Sequence, residues 1–256
     1  MQVLYIRKKY MTALIMAFVL AAAAFFYAKG PGKEDIGAFI NNEKNMPIYS
    51  VDVPDKRVAL TFNVAWGAEY TQEVIDILKR YNIKATFFLT GAWISKYPDE
   101  AEYIYKYGHD IGNHTTTNVA LTNLSKSSII KEIKDTEDRI LKVTGIKTSL
   151  LRVPYGEYNE RVILTANELG YNTIQWDVDS FDWTGILHKD IHERVIKNIG
   201  SGSILLFHCE SKNTVEALPS IIEDLRKQGY KFITVTELLL KDNYYIDNSG
   251  RQRSLK

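Results

Sequence analysis

Between residues 57 and 235 the chain switches repeatedly between two hydrophobic periods, and this alternation restricts it to a few architectures. Short apolar runs of strand length occur at 57–67, 84–90, 109–112, 148–153, 171–178, 203–207 and 230–235. Amphipathic stretches separate them at 71–81, 98–107, 126–143, 157–169, 189–199 and 214–227, and a short helix is predicted at 237–240. In the first of these, Val74, Ile75, Ile77 and Leu78 gather on one helical side. The opening run, RVALTFNVAWG, sets Val58, Leu60, Phe62 and Val64 against Ala59, Thr61, Asn63 and Ala65, apolar or small on both faces. That is the pattern of a strand covered on two sides. Seven such strands predict a parallel α/β barrel or an open α/β sheet, and about 185 residues (56–240) suffice for one core.

The flanks read differently. Arg7, Lys8 and Lys9 lie in a basic segment, 1–9, and residues 10–28 then carry no charge. An uncharged run of that length matches a bilayer core, and the preceding basic residues predict a cytoplasmic N-terminus with the domain outside. A cleaved signal peptide is the rival reading, but Phe25, Phe26 and Tyr27 suit an interfacial belt, so an uncleaved single-pass anchor is expected. Residues 29–55 read as a linker and 241–256 as a loose polar tail. With 32 basic and 31 acidic residues there is no electrostatic case for nucleic acid. Cys209 is the single cysteine, which excludes an intrachain disulfide and a cysteine metal cluster.

Polar residues collect at or just beyond the C-terminal ends of the predicted strands: Asn63, His114, Arg152, Asp179 with Asp182 and Trp183, and His208. Parallel α/β folds build their sites at that edge. Each residue alone is compatible with a structural role; as a set spread over different strands they predict a site. His109 reads as strand-end structure, His188 and His192 as solvated helix residues, and Asp177 as a loop cap. Cys209, adjacent to His208 on a strand, points to the opposite face and does not form a Cys–His pair with it.

The order and spacing of these residues resemble the polysaccharide deacetylases of the NodB-homology type, carbohydrate esterase family 4. Five motifs carry the resemblance: Thr61-Phe62-Asn63-Val64, GHDIGNHTTTN at 108–118, Arg152-Val153-Pro154-Tyr155-Gly156, Asp179 to Trp183, and Leu205-Leu206-Phe207-His208. The resemblance implies a distorted (β/α) barrel and action on N-acetylated cell-wall glycan, peptidoglycan or spore cortex. The Trp66-Gly67 pair and the expected anchor are most similar to the membrane-anchored sporulation branch. In such enzymes one Asp is the general base, while a second Asp and two His hold a divalent metal such as zinc. Here the base position is Asn63, and Val64 and Asn118 occupy two of the ligand positions, leaving His114. One imidazole and an amide do not make a zinc site, so no tightly held metal is expected.

The resemblance also implies His208 as the general acid, Asp182 as its orienting partner, Arg152 beside the base position, the Tyr155 backbone N–H at the oxyanion, and Trp183 with Leu206 around the acetyl group. Two functions are consistent with this set. One is de-N-acetylation with water activated by His208 or a carboxylate such as Glu69; the other is non-catalytic holding of wall glycan.

Overall fold

The computed structural model describes residues 46–255. The basic segment 1–9, the anchor expected at 10–28 and most of the linker lie outside the described residues. Among those described, no helix is long and apolar enough to cross a membrane.

The alternation predicted for the first long strand is realised in β2 (Arg57–Val64), buried along nearly its whole length. Val58, Leu60, Phe62 and Val64 enter an outer cluster beneath helices, which includes Val74 and Leu78 of α1 (Thr71–Arg80). Phe62 stacks between Phe87 (5.0 Å) and Phe207 (5.7 Å), so one aromatic row ties three strands together. Ala59, on the other face, belongs to an inner cluster with Phe88 and Ile174.

β3 (Thr86–Leu89), β4 (Asp110–Asn113), β5 (Leu150–Leu151), β6 (Asn172–Thr173), β7 (Val178–Asp179) and β8 (Ile204–His208) complete the main sheet in the order β6-β5-β4-β3-β2-β8-β7. β9 (Lys231–Phe232) pairs with the start of β2, and every pairing is parallel. The crossovers are α1; α2 (Gly91–Lys96) with α3 (Pro98–Lys106); α4 (Lys126–Thr144); α5 (Glu160–Glu168); α6 (His188–Asn198); and α7 (Lys212–Lys227). Capping marks their starts: Ser125, Asn159 and Ser211 each accept a hydrogen bond from a first-turn N–H. Of the two architectures left open by the sequence, the result is a barrel with an open seam.

Three expectations need correction. The run 171–178, read as one strand, is broken into β6 and β7, which sit at opposite ends of the sheet order. The break is enforced by Asp177, whose carboxylate accepts from the Ile204 N–H (2.8 Å) and the Ser203 hydroxyl (2.9 Å). Second, the described part of the linker is packed. Ile48 donates its N–H to Thr173 O (2.8 Å) and accepts from Gln175 N (2.7 Å), while Val51 N donates to Gly202 O (2.9 Å), so this segment fills the seam. Gly202 is required there: it has φ +81, and a Cβ would lie 1.7 Å from Val51 O.

Third, the tail is not loose. β10 (Tyr244–Ile246) and β11 (Arg251–Ser254) form an antiparallel pair, and β11 runs parallel to β1 (Ser50–Val51) in a second small sheet. Gln252 is buried and exchanges two hydrogen bonds with the Leu240 backbone, at 2.8 and 3.0 Å. Polar composition concealed this, because a buried glutamine satisfied by backbone reads like a surface residue in sequence.

Candidate active site

The C-terminal edge of the sheet opens into a groove of about 770 Å³ lined by Asn63, His114, Asn118, Asp179, Asp182 and His208, with Tyr155, Trp183 and Leu206. Parallel strands bring these positions together because all their C-terminal ends lie on one edge. Trp66, Tyr155 and Trp183 keep 69%, 65% and 62% of their surface exposed, although each is a large ring. Exposed aromatics clustered at one groove are a binding feature rather than core.

Arg152 forms the floor. Its guanidinium is fully buried and donates to Thr61 Oγ1 (2.8 Å), Asn63 Oδ1 (3.1 Å), Ile174 O (3.3 Å) and Gln175 O (3.0 Å). It also lies 4.0 Å above the Phe88 ring. No carboxylate of the described residues touches it. Burial lowers its pKa to about 9, against an opposing pull from Asp179, so it remains a cation at neutral pH.

The opposite wall carries a pair of coupled groups. Asp182, in a short 3₁₀ turn (Asp182–Thr184), accepts from the His208 N–H (2.7 Å), the Thr214 hydroxyl (2.5 Å) and, through Oδ1, His208 Nδ1 (2.8 Å). Burial alone would lower the His208 pKa. The Asp182 hydrogen bond and the charges of Asp182, Glu210 and Asp179 outweigh it together, and the pKa is raised. For Asp179, burial dominates and raises its pKa, although its carboxylate accepts from Phe181 N at 2.8 Å.

His114 hydrogen-bonds through Nδ1 to Arg152 O at 2.7 Å. A carbonyl can only accept, so Nδ1 carries the proton and Nε2 keeps its lone pair. Burial lowers the His114 pKa to about 3. The loop after it is fixed from α4: Glu132 accepts the N–H groups of Thr116 and Thr117 at 2.9 Å each.

These residues do not fit a tightly held divalent metal. Val64 is fully buried in the outer cluster with Phe62 and Leu89, on the face away from the groove, and Asn118 offers an amide. Among the described residues no three His, Cys, Asp or Glu side chains converge. A lone imidazole lacks the donor number that zinc takes.

Two carboxylates change places with respect to the sequence reading. Glu69 is exposed and does not line the groove, so it is not the water-activating group considered for it. Glu210 does line the groove, and its Oε1 accepts from Ala65 N and Trp66 N at 2.9 Å each. It latches the loop that carries Trp66, which is held again by Trp93 Nε1 donating to Gly67 O at 2.9 Å. Glu210 lies in the turn just after β8, so its position followed from no strand alternation and only from its nearness to His208 in the chain.

The remaining candidates are structural. His109 accepts from Ala85 N at 3.2 Å and packs edge-on to Phe87. His188 pairs with Glu216 and His192 with Asp224 on the helix surface. Cys209 is buried in the outer cluster, where burial raises its thiol pKa.

His109 and His114 together predict an acid sensitivity. Burial lowers the His109 pKa to about 4, and that of His114 to about 3, both below the ordinary 6.5. The unfolded chain binds protons below about 6.5 that the folded chain refuses, so stability falls as pH drops toward 4. The expected slope is up to about 1.4 kcal/mol per pH unit for each histidine. Urea midpoints between pH 7 and 4.5 measure this, and His109→Gln should show a shallower fall. A variant profile parallel to the native one would contradict the assignment.

The His208–Asp182 pair and the buried Arg152 at the C-terminal strand edge define a parallel α/β-barrel protein with a polar groove at the barrel mouth. The chain matches the polysaccharide deacetylase family over residues 50–174. It is 38% identical to a peptidoglycan-N-acetylglucosamine deacetylase of Bacillus cereus, over 72% of this chain and 89% of that protein. It is 34% identical to YlxY of Bacillus subtilis over 75% of this chain, and spans 60% of that protein's length. Among solved structures it is similar to BA3943 of Bacillus anthracis, a CE4 family pseudoenzyme, with a TM-score of 0.73, 36% identity, and coverage of 76% of this chain and 69% of that one. The chain belongs to the polysaccharide deacetylase family.

Proposed function

We propose that the groove takes N-acetylated cell-wall glycan, peptidoglycan or spore cortex, and that the chain acts on it from outside the cytoplasm on an N-terminal membrane anchor. The observation that carries this reading is the groove's division of labour: exposed rings of Trp66, Tyr155 and Trp183 at the rim, and fixed polar groups of Asn63, His208 and Asp182 below. Rings suit the apolar faces of pyranose units and the polar floor suits their substituents. The name of the Bacillus cereus relative supports an N-acetylhexosamine polymer as the ligand class.

The geometry favours holding over hydrolysis. His208, with Asp182 behind it, is equipped to deliver a proton to a departing amine. The other half of the reaction lacks its group: Asn63 is an amide whose oxygen is engaged by Arg152, and an amide does not deprotonate water. A second reading, N-acetyl hydrolysis by this site, rests on the intact His208–Asp182 pair.

Calorimetric titration with tetra-N-acetylchitotetraose tests the proposal. Binding is expected, with Trp66→Ala and Trp183→Ala each weakening it about tenfold, since losing a ring from a sugar contact removes roughly 1–2 kcal/mol of apolar burial. Absence of binding, or variants that bind like the native chain, would count against a glycan groove.

A further inference from the structure

The contact between Arg152 and Asn63 fixes the orientation of the Asn63 amide. Arg152 has only donors, so the atom it meets at 3.1 Å must be Oδ1, and Nδ2 lies on the other side of the planar group. No oxygen of the described residues accepts from Nδ2, while Asn63 itself lines the groove. A carboxylate at this position would have offered an acceptor. The amide offers a donor with a buried cation behind it.

The groups facing it are of both signs. His208 is bound through Nδ1 to Asp182, leaving Nε2 for the groove. Three carboxylates also line the groove, with Asp182 accepting from three donors, Glu210 Oε1 from two backbone amides and Asp179 Oδ1 from Phe181 N, so the donor character is local to Asn63 and the Arg152 cation behind it. An ammonium group brought to Asn63 would meet a donor and the Arg152 charge, whereas an acetamido carbonyl would meet a matching N–H.

We infer that the groove reads the acetylation state of its glycan: Asn63 Nδ2 donates to the carbonyl oxygen of an acetamido group, making Asn63 a specificity-determining residue that selects N-acetylated sugar over the free amine. The inference rests on the proposed glycan groove. It makes the substitution at residue 63 a change of preference rather than a simple loss.

The test compares tetra-N-acetylchitotetraose with its fully deacetylated tetramer by calorimetry, using the native chain, Asn63→Leu, Asn63→Asp and Trp183→Ala. The native chain is expected to bind the acetylated tetramer at least about tenfold more tightly, because an unmatched buried polar group costs a decade or more in affinity. Asn63→Leu should erase most of that preference. Asn63→Asp should narrow or reverse it, and this variant keeps the test open should the leucine fail to fold. Equal binding of both tetramers by the native chain, with Trp183→Ala weakening both, would overturn the inference and leave the glycan groove standing. A preference that survives unchanged in both Asn63 variants would overturn it as well. No binding of either tetramer by the native chain would defeat the groove and the inference together.

Discussion

Arg152→Ala is expected to destabilise the domain by about 3–5 kcal/mol, the range seen when a large buried side chain is removed and its partners are left unmatched. The guanidinium is fully buried and gives four hydrogen bonds, two to side chains of β2 and two to backbone carbonyls of residues 174 and 175. Those carbonyls lie between β6 and β7, so Arg152 joins the sheet centre to the seam. Its removal strands four acceptors in a low-dielectric interior, and each unsatisfied one costs about 1–3 kcal/mol before relaxation. Arg152→Lys should recover only part of the loss, because a single ammonium cannot reach acceptors arranged around a planar fork. Equilibrium unfolding in urea measures the effect. An alanine variant within about 0.5 kcal/mol of the native chain would show that the network is not what holds the seam.

The second large effect concerns the Asp182–His208 pair. Asp182→Ala is expected to cost roughly 3–5 kcal/mol near neutral pH, since it removes the acceptor for His208 N, His208 Nδ1 and Thr214 Oγ1 in a buried setting. It should also reverse the pH dependence at this residue. In the native chain the folded His208 pKa is raised, so its contribution to stability is fully present below about 6.5 and is lost as pH rises through the folded pKa. Without the Asp182 carboxylate, burial outweighs the more distant charges of Glu210 and Asp179, and the pKa should fall below 6.5. Stability is then lost on acidification instead. An NMR titration of the His208 ring protons reads the reversal directly, and an unchanged titration in the variant would contradict the role given to Asp182.

Much of the site was legible because parallel strands convert sequence position into location. His114, Arg152, Asp182 and His208 could be placed at one edge from strand ends alone; His114, Asp182 and His208 line the groove there, and Arg152 lies beneath it in contact with Asn63. The run RVALTFNVAWG gave both faces of β2 through its two apolar sets. What could not be read was where tertiary hydrogen bonds override local pattern. Residues 171–178 have strand composition, yet the Asp177 carboxylate binds the start of β8 and splits them. Ile48 and Gln252 lie in stretches too polar to suggest a core, and they are buried by pairing with a distant seam and a distant loop. Val64 shows the limit of motif spacing: it stands at a ligand position by resemblance, but strand alternation directs it into the outer apolar cluster. A carboxylate introduced there would start out buried among Phe62 and Leu89.

The central claim is that this groove holds N-acetylated glycan while lacking the groups that activate water. The most direct measurement is acetate released from tetra-N-acetylchitotetraose by the purified chain with zinc in excess, alongside the affinity for the same oligomer. The expected result is measurable binding with no acetate above background. Steady acetate release that disappears in His208→Ala would contradict the claim and place the chain among the active deacetylases.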